Sequence, residues 1–140
     1  MRHVDMLMRL EWDAIIIGAV LAYLVGWALF TSDKLLGGIC RNEGCINPKN
    51  IKVTVAADFV ATVLLATLVA IVLTAFGGAS HVGADWLCAV VFLTLVVGSG
   101  ALAADLWQGR STAFMLAVFA SYAVSIVIMA LAYVYVEKFI

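Results

Sequence analysis

Four apolar runs, separated by short polar or glycine-rich segments, organise the chain. They cover about 13–31, 53–76, 84–105 and 112–136. At 1.5 Å per helical residue, each is long enough to cross a hydrocarbon layer roughly 30 Å thick. No proline interrupts any of them; the single proline, Pro48, falls between the first and second. The pattern predicts an all-α, polytopic transmembrane four-helix bundle, one domain over residues 1–140. Aromatic residues near the ends of the runs are expected as anchors at the membrane surface. They are Trp12, Trp27 and Phe30 on the first run, Trp86 on the third, and Tyr133 and Tyr135 on the fourth.

Within the runs, small residues recur at every fourth position. Ala14, Gly18, Ala22 and Gly26 form one stripe, Gly100 and Ala104 a second, and Ala113, Ala117, Ser121 and Ser125 a third. Apolar burial gives no drive inside lipid, so helices there associate by close approach over such stripes. The stripes serve packing within the bundle or a seam with another copy or subunit. The stretch 98–111 has the same logic in one piece. Small residues come first, then Asp105, Trp107, Gly109 and Arg110, as in a helix that surfaces, reverses at a glycine and dives again.

The segments between runs differ in kind. Residues 1–12 are mixed, and the start carries Asp5 and Glu11 beside Arg2, with no small-residue cleavage site after the first run. An uncleaved first span is expected, not a signal peptide. Residues 32–53 hold Cys40 and Cys45 around Arg41-Asn42-Glu43-Gly44, then an Asn47-Pro48 turn signal. A metal clip needs about four ligands, and neither histidine is near. A disulfide requires an oxidising compartment; two free thiols are the favoured reading. The segment 77–83 is a glycine-rich reversal without Lys or Arg, and His81 is read as a residue of that loop, with no axial partner for a haem.

Composition agrees with the runs. Hydrophobic residues make up 66% of the chain and charged residues 12%, against about 45–50% and about 25% in soluble domains. A net charge of −1 supplies no field for nucleic acid. Cys88 lies inside a run and reads as a small packing residue.

Four spans place both termini and the 77–84 loop on one side, and the 32–53 and 106–111 loops on the other. Arg2, Arg9 and Lys138 fall on the first side; Lys34, Arg41, Lys49, Lys52 and Arg110 on the second. The positive-inside rule therefore favours a cytoplasmic second side. That side also collects Asp33, Asp58, Asp105 and Arg110. Asp105 and Arg110 are spaced for a surface salt bridge worth roughly 0–1 kcal/mol. Joined by Asp58, they would form a polar latch or a small binding site. The alternatives are separate solvated helix ends and, for Asp58, a favourable place near a helix N-terminus.

No Asp, Glu, Lys, Arg, His, Asn or Gln lies near the middle of any run. Polarity there is limited to Thr62, Thr67, Thr94, Ser99, Ser121, Tyr122 and Ser125. Ion-coupled transport usually keeps an ionisable group at mid-membrane, so the pattern counts against active transport. Ser99 is flanked by glycines but lacks the strand–turn–helix setting and histidine of a nucleophile elbow. No nucleotide-binding loop or paired-histidine motif is present. No catalytic residue, metal ligand or cofactor is assigned.

Gly26-Trp27 followed by Ser32 and Leu35-Leu36-Gly37, and the turn Leu106-Trp107-Gln108-Gly109-Arg110-Ser111 with Tyr122 beyond it, carry a resemblance. In these the chain resembles an uncharacterised family of small, mostly bacterial four-span membrane proteins, a domain of unknown function. The resemblance covers most of the chain, apart from the Cys40–Cys45 loop, which is not part of the family pattern. It implies a four-span architecture in a bacterial inner membrane and supplies no activity.

The expected function is that of a non-catalytic accessory or structural subunit of a membrane complex, or a self-associating bundle. Its partners would be the lipid bilayer and other membrane subunits or further copies of itself. One alternative is a small oligomeric transporter or channel for an apolar or weakly polar solute. A second is a lipid- or quinone-directed enzyme working at the Asp58, Asp105 and Arg110 face.

Overall fold

The computed structural model describes residues 11–31, 51–79, 81–109 and 112–139. Cys40, Cys45, Asp33 and Arg110, and with them the thiol-pair and salt-bridge expectations, lie outside the described residues. Four helices follow one another: α1 (Trp12–Thr31), α2 (Ile51–Phe76), α3 (Ala84–Trp107) and α4 (Thr112–Phe139). No strand occurs among the described residues. The all-α four-helix bundle is thus observed. α2, α3 and α4 are each long and apolar enough to cross a membrane, and α1 spans 20 residues.

Local chemistry sets the helix ends. α2 stops where Gly77 takes φ +80°, and the Gly77 and Gly78 N–H groups donate to the Thr74 and Leu73 carbonyls at 3.3 and 2.9 Å. This is a Schellman turn, which satisfies carbonyls that the helix end would leave bare. Gly109, at φ +68°, closes α3 in a similar way, its N–H donating to the Leu106 carbonyl at 3.1 Å. Inside α2, the hydroxyls of Thr62, Thr67 and Thr74 donate to carbonyls four residues back, at 2.8 to 2.9 Å. A threonine can face lipid on such terms, because its proton is already bonded.

Each helix packs on its sequence neighbours, α4 closes the ring against α1, and α4 also touches α2 across the middle. Small residues set the distances. A Cβ at Gly18 of α1 would lie 3.2 Å from the Ala132 Cβ and 3.3 Å from the Met129 Cα of α4. Ala14, Ala19 and Ala22 line the same buried side of α1. Between α3 and α4 the close approach falls at Gly98, where an added Cβ would overlap the Phe119 ring. Gly100 and Ala104, expected as the α3 stripe, face outward, and nothing lies within 4 Å of a Cβ at Gly100. Two helical positions differ by about 200° of rotation, enough to turn one glycine inward and the other out.

Large apolar side chains cover the outside. Ile16, Leu21, Leu24, Leu64, Leu68, Phe92, Leu95 and Leu116 are all exposed. A water-soluble monomer does not carry so large an apolar exterior; a lipid-facing one does. The helices mark an integral membrane protein. Cys88 also lies exposed on this exterior, not in a packed interior as expected.

Two expected surface anchors turn inward. Trp86 is buried, and its indole Nε1–H donates to the Ala130 carbonyl of α4 at 3.2 Å. Tyr133 is buried, and its hydroxyl accepts the Glu11 N–H at 3.4 Å. Both tie α4 to the start of a neighbouring helix. A buried indole or phenol needs a polar partner: Tyr133 takes the Glu11 N–H at the start of α1, and Trp86 shares a carbonyl within α4. Trp12, Trp27 and Tyr135 remain exposed.

Candidate functional site

The interior is not uniform along the bundle axis. The main buried cluster joins Ile15 and Ala19 of α1, Val69 and Leu73 of α2, Trp86 and Val90 of α3, and Ile126 and Ala130 of α4. All of these lie toward the end where α2 turns into α3. Toward the opposite end the same helices carry Gly26, Asp58, Ser121 and Ser125, and the packing opens. A cavity of about 360 Å³ results, bounded by α1, α2 and α4. Its size falls within the roughly 300–1,000 Å³ of small-molecule sites.

Each helix contributes one face. From α1 come Ala22, Tyr23, Gly26 and Trp27; from α2, Asp58, Thr62 and Leu65; from α4, Val118, Ser121, Tyr122, Ser125 and Met129. Spacings of three and four put each set on one side of its helix. Nothing lies within 4 Å of a Cβ at Gly26, which makes room on the α1 wall. Tyr23 is held by an edge-on contact with Phe59 of α2, ring centroids 5.8 Å apart at 84°. Asp58, Trp27 and Tyr122 are exposed and form the rim, while Leu65, Met129 and buried Ala22 lie deeper. Asp58 and Leu65 are seven residues apart, about 10 Å along the helix.

Polar groups converge here. Of the seven hydroxyl residues read from the runs, Thr62, Ser121, Tyr122 and Ser125 line the cavity, and Tyr23 adds a fifth hydroxyl. Thr62 donates to the Asp58 carbonyl, so its oxygen remains an acceptor. Among the described residues, the hydroxyls of Tyr23, Ser121, Tyr122 and Ser125 have no hydrogen-bond partner. Among the described residues Asp58 is the only charged one on the wall, and none of them is a Lys or Arg. Such an arrangement can receive donors and acceptors of a guest molecule. Among the described residues no three His, Cys, Asp or Glu side chains cluster.

The polar trio expected from the sequence is distributed differently. Asp58 is at the cavity rim. Asp105 is buried on α3, 9% exposed, with Oδ2 lacking any hydrogen-bond partner among the described residues, and it does not line the cavity. Arg110 lies outside the described residues. Of the expected stripe residues, Ala22, Gly26, Ser121 and Ser125 line the cavity, Ala14, Gly18 and Ala117 are buried, and Ala113 is exposed. Trp27 reads in the sequence as a surface anchor only, and Tyr23 is assigned no role there. Their spacing of four beside Gly26 was the available signal.

No protein-family model, curated protein or solved structure matches the chain.

Proposed function

We propose that this integral membrane protein holds a small organic solute with a polar group between α1, α2 and α4, without catalysing its conversion. It would act as a carrier or channel component working as an oligomer. The observation that carries the reading is the cavity itself: about 360 Å³, with five hydroxyl residues and one carboxylate on an otherwise apolar wall. Unpaired hydroxyls on a partly buried, otherwise apolar wall gain from the donors and acceptors of a guest.

A filled-cavity variant tests this. Gly26→Leu adds a side chain where the wall is open and should abolish saturable binding of benzyl alcohol to protein in nanodiscs, after correction for empty nanodiscs. Equal binding by wild type and Gly26→Leu would remove the reading.

A second reading, an accessory subunit or self-associating bundle, is supported by the outward strip of Ser99, Gly100, Ala103 and Ala104 on α3. Small residues that the bundle does not use leave a face for another helix. The two readings are compatible, since the strip and the cavity belong to different helices. A bacterial inner membrane, with the 32–53 and 106–111 loops cytoplasmic, belongs to the same proposal and rests on the family resemblance and the loop charges.

A further inference from the structure

Resting on the solute-binding reading, we infer that the solute is an organic cation, an ammonium carried on a compact apolar or aromatic body. Three observations lead there. Among the described residues the wall has one formal charge, the Asp58 carboxylate, and no basic side chain. Among the described residues that carboxylate has no ion pair. An acid at the edge of an apolar layer is costly without a counter-charge, so a cation gains there what a neutral or anionic guest does not.

Aromatic rings surround the same region. Tyr23 and Trp27 lie one turn apart on α1, and Tyr122 faces the cavity from α4. Aromatic faces attract ammonium groups, more strongly when the pair is shielded from water. The edge contact with Phe59 holds the Tyr23 ring in place before any guest arrives.

The floor decides between an organic and an inorganic ion. A bare metal cation gains nothing from the apolar deep end, Leu65 and Met129, whereas an organic body packs against it. A guest with its charge at Asp58 and its body on that floor satisfies both ends. The roughly 10 Å between Asp58 and Leu65 sets its length.

The test uses two probes of one shape: benzyltrimethylammonium and its uncharged carbon isostere, neopentylbenzene. Binding to the full chain is measured by equilibrium dialysis in phosphatidylcholine nanodiscs, with empty nanodiscs subtracted. The cation should bind saturably and at least 10-fold tighter than the isostere. Asp58→Asn should bring that ratio to about one, and Asp58→Glu should restore part of it. Asp85→Asn, an exposed acid at the other end of the bundle, should leave the ratio as in wild type. Equal binding of the two probes by wild type, or a ratio indifferent to Asp58→Asn, would overturn the cation proposal while leaving a neutral solute in the cavity. Saturable binding of neither probe would overturn the cation proposal, and benzyl alcohol binding that Gly26→Leu abolishes would then show the solute reading surviving it.

Discussion

At Gly78 a methyl group has no room. An added Cβ would sit 2.6 Å from both the backbone N and Cα of Trp86, the first turn of α3. Gly78→Ala should therefore push the α2–α3 turn apart and cost about 1–3 kcal/mol. Gly26→Ala meets nothing within 4 Å and should be neutral or stabilising by up to about 1 kcal/mol, as alanine is the better helix former. Thermal unfolding of the two variants in one detergent separates these outcomes; equal melting temperatures would contradict the packing at the turn. Trp86→Phe keeps an aromatic ring but removes the indole N–H that donates to the Ala130 carbonyl, with an expected loss of about 1 kcal/mol by the same measurement. Asp105 should behave in the opposite sense. Its buried Oδ2 has no partner among the described residues, and a carboxylate in the last turn of a helix opposes the dipole. Asp105→Leu is expected to raise stability by about 1 kcal/mol, and a marked loss would mean that the carboxylate is paired in the membrane.

At the scale of the helix, rotation decides which residues matter. Gly98 and Gly100 are indistinguishable in the sequence, yet one abuts Phe119 and the other faces away from the bundle. Gly98→Leu should displace the Phe119 ring and destabilise the monomer by about 1–3 kcal/mol. Gly100→Leu should leave monomer stability unchanged and weaken any oligomer built on the α3 strip, read as a shift to smaller species by native mass spectrometry. Oligomer size indifferent to Gly100→Leu would exclude that strip as the interface. Helix positions were legible because apolar runs end at glycines, charges or turn residues, and those same residues make the caps: Gly77 and Gly109 are both at positive φ. Rotational phase was not. In a helix surrounded by lipid no polar face marks the outside, so a near-end aromatic has two destinations. Trp12 went to the surface and Trp86 to an interhelical hydrogen bond.

For the whole molecule, the bundle is packed tightly at one end and open at the other. The alanine- and glycine-lined contact of α1 with α4 runs from Ala14 to Ala22, then gives way to Gly26, Ser121 and Ser125. Ala22, Gly26, Asp58, Thr62, Ser121, Tyr122 and Ser125 are each visible in the sequence as a polar or small side chain within an apolar run. Their convergence is not, because it depends on the relative register of three helices. Topology groups Asp58 with Asp105 and Arg110 by side of the membrane alone, and side does not say which gap between helices a residue enters. The gap between α1, α2 and α4 is a space that small molecules can reach. Thiol labelling tests it most directly. In protein with Cys40, Cys45 and Cys88 replaced by serine, Ser125→Cys should react with N-ethylmaleimide in nanodiscs, and adding Gly26→Leu should slow the reaction at least 10-fold. A Ser125→Cys thiol that does not react, or one that reacts equally in both backgrounds, would contradict it.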